Sequence, residues 1–270
     1  MFKCDYPTCL HFSWILRFWD TIKSMSTTVQ LFVTCIIDTL YPEVGEAVVK
    51  VLRHAGVGVE FPAGQTCCGQ PAFNAGMRAQ ALPTAMHTIQ VFEKTQGPVV
   101  VPSGSCADMI RHGYLELFAE DQAWLPRAQA LAERTFELTE YLVDQLGVTD
   151  LGARHPGKLT YHASCHLLRD LGINSQPRAL LANVRDAELV ELPYATECCG
   201  FGGVFSAEHP EISSAMLERK ISNIEASSAP LVVSCDGGCI TNINGGLHRR
   251  GKPQRAVHIA QILAQTDPDR

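Results

Sequence analysis

Thr66-Cys67-Cys68-Gly69-Gln70-Pro71 and Glu197-Cys198-Cys199-Gly200-Phe201-Gly202-Gly203 carry the same word, an adjacent cysteine pair followed by glycine. Each pair stands inside a matching frame. Cys35 precedes the first pair and Cys106 follows it, while Cys165 precedes the second and Cys239 follows it, at nearly the same intervals. The steps from Cys35 to Cys165, from Cys67 to Cys198 and from Cys106 to Cys239 are almost equal, so this is one thiol constellation, duplicated. In a chain of 270 residues the duplication predicts two domains of ordinary size, 29–155 and 156–270, preceded by an extension over 1–28.

Working outward from the pairs, each cysteine is expected just past the end of a strand. Val29–Thr34 is a short apolar run ending at Cys35, and Pro42 and Glu43 suit the first turn of a helix with Val44, Ala47, Val48, Val51 and Leu52 on its inner face. A strand over Val57–Phe61 leads to Cys67-Cys68, a helix over Ala72–Lys94 with a kink at Pro83 follows, and Val99–Val101 leads to Cys106. Helices are expected over Asp108–Phe118 and Leu138–Leu146, then a linker from Gly152 to Gly157. The second copy repeats the order: a strand over Leu159–His162, a helix over Pro177–Val184, a strand over Glu188–Leu192, a helix over Pro210–Glu225, and the strand Leu231–Val233. A strand over Gln254–Ile259 and a helix over Ala260–Ala264 close the chain. This alternation predicts an α/β protein of two tandem homologous lobes with largely parallel sheets and the cysteines on loops after strand ends, where open α/β sheets place their ligands.

Composition narrows the function. An apolar share of 46% with 19% charged residues suits a globular protein with a core, and a net charge of −6 argues against nucleic acid, which asks for a basic face. Eleven cysteines would suit a small secreted disulfide protein, but this chain is too large to need one, so they read as ligands or redox groups kept reduced in the cytoplasm. No run of 18 or more apolar residues appears, and the start lacks the features of a secretory signal. Residues 1–24 hold Cys4, Cys9, Trp14 and Trp19 without counterparts in the other repeat; they read as a disordered upstream extension or a mis-assigned start, against an interfacial anchor formed with Phe12, Ile15, Leu16 and Phe18.

Thiolates from three loops converge only where something rewards several soft, negative ligands close together. An iron-sulfur cluster does so, and zinc accepts four thiolates as well. Adjacent cysteines are an awkward chelate for one zinc ion but suit a cluster of several irons, and the following glycines allow a close backbone approach. A buried thiol is often only a small hydrophobe, a reading that serves for one cysteine and fails for a doubled frame.

The chain from about Val29 to Gln265 resembles the cysteine-rich CCG-domain proteins, a family that includes the iron-sulfur subunit of glycolate oxidase and the B subunit of heterodisulfide reductase. The matching words are Leu31–Asp38, Tyr41–Gly45, Gln65–Pro71, Ser103–Ala107, Tyr161–Arg169, Cys198–Gly203 and Gly238-Cys239. The resemblance implies an iron-sulfur electron-transfer subunit in the oxidation of L-lactate, or a related 2-hydroxy acid, to pyruvate. It implies Cys35, Cys67, Cys68 and Cys106 as the ligands of one site and Cys165, Cys198, Cys199 and Cys239 as those of the other. Heterodisulfide reductase relatives end each motif in C-x-x-C, where this chain has Met109 and Asn242. That departure leaves an ordinary [4Fe-4S] cluster, or zinc in one lobe, open in place of the non-cubane cluster. Cys235 is either a spare ligand or an incidental buried thiol.

No ferredoxin run, G-x-G-x-x-G loop or Walker A sequence is present, so partners are expected; the resemblance implies that they are a ferredoxin-type iron-sulfur protein and a third subunit. His162 and His166 flank Cys165 and His248 follows Cys239; each is a candidate ligand or proton acceptor, or a hydrogen-bonded residue orienting a loop. Arg169 and Arg249 could clamp a carboxylate or lie on solvated helix faces. Two other classes of function stay open: a zinc-stabilised scaffold, and a thiol-disulfide enzyme, the latter disfavoured because neighbouring cysteines make a strained disulfide.

Overall fold

The computed structural model describes residues 27–266, and within them each half of the chain folds round a four-stranded, wholly parallel sheet. In the first half β1 (Thr28–Leu31), β2 (Gly58–Glu60), β3 (Val99–Val101) and β4 (Thr135–Glu137) stand in the order β2-β1-β3-β4. In the second, β5 (Arg154–Tyr161), β6 (Arg185–Val190), β7 (Leu231–Ser234) and β8 (Arg255–His258) stand in the order β6-β5-β7-β8. The two topologies are identical, as a duplication requires. Strands as short and apolar as β3 and β7, buried along their whole length, are typical of parallel sheets covered on both faces.

The order fixes where a ligand sits. From β1 the chain runs outward to β2, then returns past β1 to β3, so the winding reverses between β1 and β3 and a crevice opens at their carboxyl ends. Cys35 follows β1 and Cys106 follows β3. In the second sheet the same crevice lies between β5 and β7, followed by Cys165 and Cys239.

The helices depart from the sequence reading at identifiable points. β1 ends at Leu31, and Thr34 caps a short helix, α1 (Cys35–Leu40), whose Ile37 amide donates to the Thr34 hydroxyl at 3.4 Å. The next helix, α2 (Pro42–His54), buries the five residues expected of it. The single helix expected over Ala72–Lys94 is two, α3 (Gln70–Asn74) and α4 (Arg78–Phe92), broken at Gly76 with φ +74° and not at Pro83. Pro83 lies on an exposed face of α4, where the carbonyl it leaves without a partner is open to water. A longer helix, α5 (104–117), carries a π turn at Met109–Gly113. It is followed by α6 (Leu125–Ala132), and β4 leads directly into α7 (Leu138–Glu140), which runs on through a second π turn, Tyr141–Gln145.

In the second half the expected linker at Gly152–Gly157 is instead the opening of β5, with a register shift between Arg154 and Gly157 where Gly157 takes φ +120°. A π turn at His166–Asp170 precedes α8 (Ser175–Ala182), and α9 (Phe205–Glu208) precedes the long α10 (Pro210–Ser227). The helix α11 (Gly237–Arg249) has no counterpart in the sequence reading, and α12 (Ile259–Leu263) closes the described chain. Four glycines disguise α11. Gly246 is needed there, because a Cβ would stand 2.6 Å from Ile221 and 2.8 Å from Leu217 of α10.

The lobes share one core, and α2 of the first packs on α12 of the second. Their contact is reciprocal: a Cβ on Gly104 would meet Leu167 at 2.8 Å, and a Cβ on Gly237 would meet Ile36 at 3.0 Å. Polar bonds cross the same seam. The Ser105 amide donates to Asp236 Oδ2 at 2.9 Å, the Ser103 hydroxyl to the same oxygen at 3.2 Å, and Tyr41 meets Thr241 at 3.1 Å. His258 accepts from the Ala260 amide at Nδ1, so Nε2 carries the proton and donates to the Pro102 carbonyl at 3.1 Å.

One buried acid sets a pH dependence. Glu137 at the end of β4 is wholly buried and caps α7, with Oε2 accepting from the Thr139 amide at 2.6 Å and Oε1 without a hydrogen bond. Burial pushes its carboxyl up from 4.5 to about 7, outweighing those hydrogen bonds. Between these values the folded chain holds a proton that the unfolded chain has released. The stabilisation is therefore full below pH 4.5 and is lost as pH rises through about 7, a change on the order of 3 kcal/mol. Glu137→Gln is expected to flatten the pH dependence of urea unfolding across that window; an unaltered slope would place the titrating group elsewhere.

Candidate metal centre

All eight cysteines of the doubled frame line one cavity of about 290 Å³ between the facing carboxyl edges of the two sheets. The local chain explains their placing. Cys35 opens α1 behind its Thr34 cap, and Cys106 lies in the first turn of α5. Cys165 opens the π turn after β5, and Cys239 lies in the first turn of α11, which Asp236 caps by accepting the Gly238 amide at 3.0 Å. The pairs Cys67-Cys68 and Cys198-Cys199 sit on the loops after β2 and β6.

The glycine after each pair is what turns those loops inward. Gly69 and Gly200 both take φ +88°, and each amide folds back to donate to sulfur, Gly69 to Cys67 at 3.4 Å and Gly200 to Cys198 at 3.3 Å. The carbonyl behind each pair is also tied: Tyr114 donates to the Cys68 carbonyl at 2.9 Å and Asn242 to the Cys199 carbonyl at 2.9 Å. Asn242 occupies the place where relatives of the C-x-x-C type carry another cysteine, and here it braces the loop. The corresponding Met109 is buried in the core of the first lobe.

The sulfurs come close without bonding. Cys35 and Cys67 are 3.6 Å apart, Cys68 and Cys106 are 3.4 Å apart, and the nine described cysteines are all free. Two sulfurs on one tetrahedral zinc ion would be about 3.8 Å apart, so the first lobe's spacing is near that of thiolates sharing a metal. In the second lobe Cys165 neighbours Cys198 and Cys199 neighbours Cys239, the same pairing. Hydrogen bonds from Cys35 and Cys68, with help from the Gly69 amide, hold Cys67 down to about 2 as a thiolate. Cys198 is held at about 2 by Cys165, Cys199 and the Gly200 amide. Sharing with Cys67, then burial, push Cys35 far above the ordinary thiol range, and sharing with Cys198 does the same to Cys165. In each lobe the first cysteine of the pair is the readiest to lose its proton, and the other thiols must lose theirs to bind a metal.

The second lobe differs in its charge. Lys220 is completely buried, donates to the Tyr194 carbonyl at 3.1 Å and lies near the thiols of Cys199, Cys239 and Cys198. Burial lowers it from the usual lysine range, opposed by those groups and by Glu197. His162 is fully buried too, and burial together with Lys220 pushes it down to about 3, so its ring is neutral.

The other candidates separate cleanly. His166 lines the cavity, and its Nδ1 bonds Asp108 across the seam at 3.1 Å and Asp170 at 2.9 Å. His248 is exposed in the last turn of α11. Arg169 donates to the Thr196 carbonyl at 3.0 Å, steadying the loop before Cys198, and Arg249 is exposed; neither lines the cavity. Cys235 lies in the core 3.9 Å from the Tyr161 hydroxyl and outside the cavity lining. Lys220, Asp236 and Asp108 were not singled out in the sequence. The one signal for the first two is the repeat itself, which sets Lys220 and Asp236 against the uncharged Thr88 and Ser103. Cys4, Cys9 and the aromatic residues of the extension lie outside the described residues.

Two like-wound α/β lobes that turn four cysteines each onto a common cavity define a tandem cysteine-rich-domain protein, with thiol clusters compatible with a metal or iron-sulfur centre. The model of the CCG cysteine-rich domain matches residues 29–111 and 159–244, and the chain belongs to that family. Among its relatives are three proteins named for lactate utilization. Lactate utilization protein A of Exiguobacterium sp. strain AT1b is 48% identical over 236 residues, 87% of this chain and 96% of that one. Lactate utilization protein A of Bacillus pumilus is 49% identical over 87% of this chain and 98% of its own. Lactate utilization protein A 2 of Bacillus cereus strain 03BB102 is 44% identical over 88% and 98%. A solved chain from Yersinia pestis aligns over 88% of this one at 11% identity, and its TM-score of 0.34 is too low to bear on fold or function. No helix among the described residues is long and apolar enough to cross a membrane.

Proposed function

We propose that this chain is the iron-sulfur electron-transfer subunit of a complex that oxidises L-lactate, or a related 2-hydroxy acid, to pyruvate in the cytoplasm. The observation that carries this reading is the gathering of two four-cysteine sets, one from each lobe, onto one cavity. The names of the relatives supply the substrate. Cys35, Cys67, Cys68 and Cys106 would hold one centre, and Cys165, Cys198, Cys199 and Cys239 the other. When bound, such centres would accept and release electrons one at a time, so the two electrons from a hydroxy acid would pass through them in single steps.

The chain's own residues do the rest. The Gly69 and Gly200 amides donate to cysteine sulfur, an interaction that tunes potential. Burial of Cys68, Cys106, Cys199 and Cys239 keeps water from the inner sulfurs. The Asp236 bonds to Ser103 and Ser105 hold the lobes in fixed register, so that both sets face each other across a short gap. The partners would be a ferredoxin-type iron-sulfur protein and a third subunit that handle lactate and the onward electrons.

Anaerobic purification should give a brown protein with iron and acid-labile sulfide and a paramagnetic signal on reduction. L-lactate should reduce it only with the partner subunits present. A colourless product holding zinc alone would sink the reading. It would support instead a zinc-stabilised scaffold, the second reading, which the nitrogen of His162 beside Cys199 and Cys239 favours.

A further inference from the structure

Around the cysteines the lobes match closely enough for single differences to stand out. Ser213 and Met216 of α10 lie under Gly200 as Ala81 and Thr84 of α4 lie under Gly69, one residue further along the chain in the second lobe. Counting back from the first cysteine of each frame, Cys35 or Cys165, puts His162 opposite Phe32. Phe32 is ordinary core: it is 1% exposed, packs on Phe92 at 5.6 Å and lies in one apolar cluster with Cys68 and Cys106. His162 is 0% exposed, and neither ring nitrogen makes a hydrogen bond. A ring nitrogen and the sulfurs of Cys199 and Cys239 all lie within 4.8 Å of one another.

A buried imidazole with no partner is costly, because a polar group has been taken out of water and left unsatisfied. The first lobe shows that the position accepts an apolar ring. The nitrogen is therefore explained by something that uses its lone pair, and two of its neighbours, Cys199 and Cys239, are candidate metal ligands. The Ala195 carbonyl lies close to the ring, short of hydrogen-bond geometry. A small rotation would give that carbonyl the N–H and leave the second nitrogen free to coordinate, the usual arrangement of a ligating histidine.

We propose that His162 ligates the metal centre of the second lobe through one ring nitrogen, giving that centre a mixed nitrogen-sulfur shell beside the all-sulfur shell of the first lobe. This rests on the reading that the second lobe's thiols hold a metal centre. Five donors then face a site where an ordinary cluster or a zinc ion takes four, so one thiol of this lobe stays outside the shell. Nitrogen ligation raises a cluster's potential, and the buried Lys220 cation nearby acts in the same sense. The second centre is thus the easier to reduce, and electrons pass from the first lobe to the second.

The test uses the full chain, labelled with ¹⁵N-histidine, reconstituted anaerobically with ferrous iron and sulfide and examined by pulsed EPR after reduction. A histidine-nitrogen coupling should appear in the unmodified chain, persist in His166→Gln and vanish in His162→Phe. The second centre's potential should fall in His162→Phe while the first is unmoved. His162→Gln, with circular dichroism of both variants, guards against misfolding. No coupling in the unmodified chain, or coupling that survives in both His162 variants, overturns the proposal. Failure to take up iron would sink the iron-sulfur reading alone, and cobalt(II) is then the probe. A visible spectrum that shifts between the unmodified chain and His162→Phe supports nitrogen ligation; identical spectra, or no cobalt bound, overturn it.

Discussion

Cys199→Ala is expected to remove about half of the iron and sulfide from the reconstituted chain, and Cys68→Ala the other half, because each lobe gathers its own set of sulfurs. These two positions should show the largest losses. Both are buried, 1% and 2% exposed, so no water or outer side chain can easily fill the vacated place. Cys68 lies 3.4 Å from Cys106, and Cys199 neighbours both Cys198 and Cys239. Cys235→Ala provides the contrast. It removes a core thiol beside Tyr161 and should leave the metal content unchanged, at a modest cost in stability. Metal and sulfide analysis decides the matter. If Cys199→Ala kept its full iron, or if Cys235→Ala lost as much, the assignment of two independent sets of ligands, one in each lobe, would fall.

The second expectation concerns the glycines, and it separates two positions that look equivalent in the sequence. Gly69→Ala should cost about 1 kcal/mol, because φ +88° strains any L side chain, while the nearest atom to the new Cβ is Thr84 at a comfortable 3.5 Å. Gly200→Ala carries the same strain and also drives a Cβ to 2.6 Å from the Ser213 carbonyl oxygen, a backbone atom that cannot swing aside. Its cost should reach about 3 kcal/mol or more, and it should weaken metal uptake in the second lobe by moving Cys198 and Cys199 off their amide and Asn242 anchors. Urea unfolding of the two variants gives the comparison; equal losses would mean that the loop yields more than its contacts suggest.

Much of this site could be read from the chain because cysteine spacing and strand ends are both local signals. The apolar runs at Val29 and Val99 place Cys35 and Cys106, and the repeated spacing places their counterparts. What the runs do not encode is which lobe face meets which. That depends on Gly104 accepting Leu167 and Gly237 accepting Ile36, contacts between residues far apart in sequence whose only local mark is a glycine. The strand β4 escaped notice because Thr135-Phe136-Glu137 is three residues long and ends in a buried acid, against the usual pattern of an apolar strand. The helix α11 escaped because Gly237, Gly238, Gly245 and Gly246 argue against a helix until α10 is seen pressed against it. Lys220 has no local mark within the helix expected over Pro210–Glu225, and only the fold shows its ammonium turned inward to the Tyr194 carbonyl.

The reciprocal glycine contacts carry a historical consequence. A seam in which Gly104 takes the other half's Leu167, while Gly237 takes Ile36 and Ile37, is what a twofold homodimer makes with its own copy. The present chain then descends from a self-pairing single-lobe ancestor whose two subunits became joined end to end. Fusion released each half from having to suit both sides of the axis at once, and the histidine that stands where the first half has a phenylalanine is one trace of that freedom.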